Sequence, residues 1–256
     1  MAKMARLIDL YRYPVKGLSP EHLTRAQLEK GQTLPFDRAY AIENGSGKFD
    51  PSAPKYLPKV NFLMLMRHEK LARLKTVFDD QTHELSIELG GQIVAKGALN
   101  STKGRQYIEE FISQYMSDCL RGAPKIYSAP HHSFSDVSAK CLHIINLNSL
   151  RELEKSMGQS INPLRFRANL IIDGPPAFCE LDWIGRTIQS KEIALKVFKR
   201  TVRCAATNVD PANGKRDTRL PELLQKMLGH TNFGIYAMVK KGGILTTGED
   251  IRIGDR

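Results

Sequence analysis

The chain is poor in the residues that build metal or disulfide frameworks. Its 256 residues include four cysteines, at 119, 141, 179 and 204. Gaps of 22, 38 and 25 residues leave no CxxC pair and no zinc-ribbon spacing. Long apolar runs are also missing. The longest, "FLMLM" at 62–66, is far short of the ~20 residues that span a bilayer. The opening "MAKMARLIDLYRYPVKG" lacks the apolar core of a secretory signal, so the expectation is a cytoplasmic protein with unbridged thiols. There is no internal repeat and no low-complexity tract. Aromatics make up 7% of the chain and form no basic, aromatic-rich strand pattern of the RNA-reading kind, so neither nucleic acid nor membrane is an expected partner.

Positive charge is present in excess. The formal net charge is +11, with 19 Lys and Arg in residues 1–125 and 19 in the remainder. An even excess favours anionic ligands in general and marks no basic tail.

The first half reads as strands: "ARLIDLYRYPVK", "RAYAIEN" running into the turn "NGSG", and strands over 71–97 turning at Asp79-Asp80 and Gly90-Gly91. The period then becomes helical through Tyr107, Ile108, Phe111, Ile112 and Tyr115, predicting a helix over about 103–118 behind a Ser101 or Thr102 cap. Residues 121–136, rich in Pro, Ser and His, read as a linker. The second half offers the strand "AKCLHIINL", a helix at about 149–157 with a Ser149/Glu152 capping box, the strands "LRFRANLIID" and "EIALKVFKRTVRC", a short helix "LPELLQKMLG" and a closing hairpin turning at Gly242-Gly243. Many short strands with few helices predict a mainly β (α+β) fold of barrels or strongly bent sheets.

Four stretches gather cationic side chains at strand ends: "YPVKG" with Lys16, "LPFDRAY" with Arg38, "RFRANL" and "TVRCAATNVDP". On a regular strand Arg165, Arg167 and Asn169 share one face and would grip a phosphate; the alternative is a solvated face. Asn148 and Ser149 stand at a helix start, whose free N–H groups attract anions. Cys204 is the unusual cysteine, set beside Arg203. Positive potential favours thiolate, which is both nucleophile and metal ligand. One thiolate falls short of a protein-only metal site, but suffices when an organic cofactor brings the remaining donors, as a dithiolene does.

Taken in order, "YPVKG", "DRAY", "RFRANLIIDG…FCELDW", "RCAATNVDPANG", "LPELL" and "FGIYAMV" resemble the MOSC proteins, domains named after the C-terminus of molybdenum cofactor sulfurase. The resemblance covers nearly the whole chain and is closest in plan to the mitochondrial amidoxime reducing component and its bacterial relatives. It implies two β-barrel-like domains, 1–122 and 123–256, with the molybdenum cofactor (Mo-molybdopterin) between them. Carried over, Cys204 is the molybdenum ligand. Lys16, Arg38, Asn148, Ser149, Arg165, Arg167, Asn169, Arg203, Thr207 and Tyr236 are the cofactor shell, with Asp210 supporting the Cys204 loop. Gly17 and Ala168 depart from the family pattern, which has serine and proline there. The implied activity is reduction of small N-hydroxylated substrates, with electrons from a separate ferredoxin, flavoprotein or cytochrome. The alternatives are a sulfur carrier with a persulfide on Cys204, and a binding module. Pyridoxal phosphate attaches to the family by association only, and the expectation is that these residues do not generate sulfur by a pyridoxal-phosphate route alone.

Overall fold

The computed structural model describes residues 3–254. In chain order its elements are β1 (Lys3–Arg12), β2 (Glu21–Leu23), β3 (Arg25–Leu28), β4 (Ala41–Asn44), β5 (Lys75–Phe78), β6 (Glu84–Leu89), β7 (Gln92–Ala98), α1 (Thr102–Tyr115), β8 (Pro124–Tyr127), β9 (Leu142–Asn146), α2 (Leu147–Met157), β10 (Leu170–Asp173), β11 (Thr187–Gln189), β12 (Ala194–Val202), α3 (Leu220–Leu228), β13 (Asn232–Lys241), β14 (Gly243–Thr246) and β15 (Asp250–Ile253). The fold is mainly β with three helices among the described residues.

Seven strands close into a barrel in the order β10-β9-β13-β12-β11-β15-β1, with β1 returning to pair with β10. Closure removes the exposed edges that short strands would otherwise present. The parallel pair, β9 and β10, is joined through α2, because a parallel connection needs a crossover. Leu195 and Val197 of β12 and Ile235, Ala237 and Val239 of β13 alternate inward. Strand β1 sends Ala5 and Leu7 into the same core, slips register between Leu7 and Asp9, and then buries Leu10. The bulge resets the period-two alternation, so both leucines face inward although they are three residues apart. Each buried leucine contributes roughly 1.5–3 kcal/mol.

The first-half strands form small sheets, β5-β6-β7, β4-β8 and β3-β14. A second core, with Leu63, Leu71, Leu85, Ile87, Ile108 and Ile112, fills the space between the β5-β6-β7 sheet and α1. Helix and sheet approach closely because a Cβ on Gly97 would lie 2.3 Å from the Gly104 carbonyl oxygen. The division by core is not the division by sequence: β1, Ala26, Leu28 and Leu34 belong to the barrel core of the second half.

Several local expectations change. The stretch "LRFRAN" is not a strand. Asn162 caps a 3-10 turn over Pro163–Phe166, Arg167 turns left-handed at φ 52°, and β10 begins only at Leu170. Helix α2 begins at Leu147 and is capped by the Asn146 side chain; Ser149 lies inside it. The closing hairpin does not form. After β13 the chain turns away, β14 pairs with β3, and β15 pairs with β1 and β11 to complete the barrel. The linker supplies β8 and buries Phe134. No described helix is long and apolar enough to cross a membrane.

Candidate functional site

Strand β12 ends at Val202. The next residues, Arg203 and Cys204, enter a cavity of about 320 Å³ lined by both halves of the chain. The Cys204 backbone starts a 3-10 turn over Ala205–Asn208, and its carbonyl accepts from the backbone N–H and the hydroxyl of Thr207, each at 3.0 Å. The thiol is partly exposed, and Lys59 Nζ donates to Sγ at 3.2 Å.

Lysine 16 leaves the short bridge between Val15 and Tyr40 and is buried. Its ammonium donates to the Phe134 carbonyl at 2.8 Å and pairs with Asp136 at 2.5 Å. Burial pulls its pKa down, against the opposing pull of Asp136. Burial works against an ionised Asp136 as well, but Lys16 and Lys59 prevail and hold its carboxyl at about 2. Lys59 also sits 3.7 Å from Asp136; burial would lower its pKa, and Asp136 with Cys204 raises it.

Arg38 and Arg167 both lie over the buried Tyr13 ring, with guanidinium carbons 4.4 and 4.2 Å from its centroid. Both residues hold φ at 52°, an uncommon left-handed value for a side chain of that size. They differ in charge balance. Arg38 is paired with Asp37 and also donates to the Arg167 carbonyl. Arg167 donates to the Leu18 carbonyl but makes no ion pair among the described residues, and burial pulls it down to about 10.

Arg203 donates to the Phe166 carbonyl and to His143 Nε2 at 3.2 Å, also without an ion pair among the described residues. His143 is held well below its usual range, first by burial and then by Arg203 and Arg38. Because a guanidinium can only donate, Nε2 accepts and the imidazole proton sits on Nδ1, facing the Arg167 carbonyl. Tyr236 of β13 lines the same wall, pushed up to about 12 by burial.

Four buried polar atoms in these walls have no partner: Arg165 Nε, Arg167 Nη2, Arg203 Nε and the hydroxyl of Thr201, a residue only 2% exposed. Buried donors left this way cost about 1–3 kcal/mol each. Cationic side chains outnumber the two lining carboxylates, Asp37 and Asp136. Among the described residues no cluster of three His, Cys, Asp or Glu side chains could hold a metal ion. The donor set therefore suits an anionic group that arrives with its own metal ligands, and does not suit a bare ion.

Of the residues singled out in the sequence, Lys16, Arg38, Arg165, Arg167, Asn169, Arg203, Cys204, Thr207 and Tyr236 all reach this cavity. Arg165 is also committed elsewhere, paired with Asp217 at 2.8 Å. Asn169 spends its amide on the backbones of Tyr11 and His143 and acts as a strand clamp. Asn148 and Ser149 do not reach the cavity. Asn148 bonds the Pro175 carbonyl and Ser149 the buried Glu180, so this helix start is filled by the protein itself. Asp210 stays in its turn, accepting from Ala212 and Asn213. Sequence reasoning missed Lys59, Asp136 and His143. The first two lie in stretches without periodicity, and His143 lies in a strand read only as apolar.

Residues 4–119 match the MOSC N-terminal beta barrel domain and residues 129–255 match the MOSC domain. Molybdenum cofactor sulfurase of Bos taurus is 21% identical over 268 residues, covering 91% of this chain and 30% of that protein. The human protein of the same name is 23% identical over 266 residues, covering 90% and 29%. The chain thus spans about 30% of the length of these curated relatives. A solved structure, the YuaD protein of Bacillus subtilis, aligns over 99% of this chain and 98% of its own, at 15% identity and a TM-score of 0.47. The chain belongs to the MOSC domain family.

Proposed function

We propose that the protein binds the molybdenum cofactor and reduces small N-hydroxylated compounds with electrons from a separate carrier protein. One observation carries this reading: Cys204, the partly exposed one of the two thiols lining the cavity, shares it with the half-buried Arg167 and Arg203, each of which has a buried N–H group to spare and no carboxylate partner among the described residues. Cys204 would ligate the metal. Arg167, Arg203 and Lys16 would hold the anionic end of the pterin, and the neutral His143 orients Arg203. Bound there, the cofactor supplies a two-electron redox centre able to take oxygen from an N–O bond. The overall change, R–NH–OH + 2 H⁺ + 2 e⁻ → R–NH₂ + H₂O, draws its electrons from the carrier and its protons from solvent. The cavity walls screen the reacting group from bulk water, and Lys59 places a positive charge against the sulfur.

The experiment is amidoxime reduction by protein purified from a molybdenum-replete host, driven by a reduced viologen dye. Wild-type protein turns over, and Cys204→Ala falls to background. No turnover by molybdenum-loaded wild type overturns the proposed activity.

The Lys59–Cys204 contact also favours a second reading, a sulfur carrier, because an ammonium beside a partly exposed thiol suits a persulfide. Incubation with a cysteine desulfurase would then add about 32 Da at Cys204. An unmodified Cys204 removes this alternative.

A further inference from the structure

Behind the thiol's cavity lies a second one, of about 270 Å³. Its walls are mostly apolar: Leu18, Leu65, Leu164, Val209 and Pro211 converge from both halves of the chain. Leu18 and Val209 are buried core residues that also face this space. Gly17, Arg165, Arg167 and Ala206 line both cavities and form the partition between them.

The polar groups are few and of one sign. No Asp or Glu lines this cavity. Lys75 stands at its exposed rim, and its ammonium donates only to the carbonyls of Ala72 at 2.9 Å and Pro211 at 2.6 Å. It makes no ion pair among the described residues, and neither does Arg167 in the partition. An apolar chamber larger than an engineered benzene-binding void of ~150 Å³ is big enough for one substituted aromatic ring. A concave apolar site with a few cations and no acid selects an apolar body carrying one negative charge.

We propose that this second cavity binds a small apolar carboxylate of about the size of a substituted benzoate. The ring would lie among Leu18, Leu65, Leu164 and Val209, with the carboxylate at the Lys75 rim. The site is distinct from the one at Cys204 and needs no group bound there to form. Because the two cavities share Arg167, ligand in one would bear on the other through that wall.

The test uses the full chain and 4-iodobenzoate. Crystals soaked with it should show an anomalous iodine peak between Leu65 and Val209. In solution, calorimetry should show saturable binding that weakens about tenfold in Lys75→Met. Neutral 4-iodobenzamide should bind wild type and Lys75→Met equally. Thr76→Phe fills the cavity from β5, where an aromatic side chain suits a strand, and should abolish binding while keeping the wild-type melting temperature. An iodine peak beside Cys204, equal affinity for acid and amide, or no saturable binding overturns the proposal. If Thr76→Phe fails to fold, the crystal peak and Lys75→Met decide it.

Discussion

Two half-buried arginines, Arg167 and Arg203, carry charge without a carboxylate partner among the described residues, although Arg38, a few ångströms away, has Asp37. Burying an uncompensated guanidinium costs stability, so the arrangement makes physical sense when an anion completes it. Arg203→Met should lower retention of pterin by about tenfold, read as oxidised-pterin fluorescence per mole of protein. Retention at the wild-type level would remove Arg203 from the anion's shell. The same guanidinium fixes the state of His143. With its pKa held well below 6.5, the imidazole should stay neutral as the pH falls through 6.5, protonated on Nδ1, in ¹⁵N chemical-shift titrations. The unfolded chain takes up a proton below about 6.5 and the native one does not, so His143 makes stability fall as pH drops through that range. An imidazole titrating near 6.5 would contradict this placement.

At the scale of elements, the segment after Cys204 is clamped onto the first half. Arg216 donates to the carbonyls of Met66 and Ala205 and pairs with Glu69, while Gly214 holds φ at 79°. A Cβ on Gly214 would sit 2.9 Å from the Glu69 carbonyl oxygen. Gly214→Ala should therefore cost about 1–3 kcal/mol, measured by urea unfolding. Glu180 gives a prediction of opposite character. It is fully buried against Ser149 and Asn146, and burial raises its pKa despite their hydrogen bonds. The native state then holds this proton at pH values where the unfolded chain has released it, so stability declines as pH rises above about 4.5. Glu180→Gln should flatten that decline in melting scans carried upward from pH 4.5; unchanged slopes would contradict it.

These elements were unequally legible. The helix α1 and the β5-β6-β7 meander follow from local period and turn residues, and Pro221 marks the first turn of α3. "RFRAN" misled because its alternation fits a strand, whereas Asn162 and Pro163 impose a 3-10 turn and Arg167 reverses the chain. Asn148 and Ser149 looked like an anion site because any helix start does; that Glu180 occupies it depends on a contact 31 residues away. Lys59 lies 145 residues from the thiol that it touches, and nothing in "LPKVNF" marks it.

At the scale of the molecule, the two halves are interlocked through β1. Leu7 and Leu10 fill the barrel core of the second half, and β1 closes the barrel between β15 and β10. A fragment of residues 123–256 alone should lack a cooperative melt, and supplying residues 1–34 in the same chain should restore one. A cooperative melt by the fragment alone would show that the barrel closes without β1. The cavity at Cys204 exists only in the interlocked molecule, because Lys16 and Lys59 come from one half and Arg203 and Cys204 from the other. The account stands most directly on molybdenum and pterin content, measured on wild type and Cys204→Ala purified from the same molybdenum-replete host. It predicts one molybdenum per wild-type chain, within the error of metal analysis, and loss of the metal from the variant. Wild-type protein free of both metal and pterin, or a variant that keeps them in full, would contradict it.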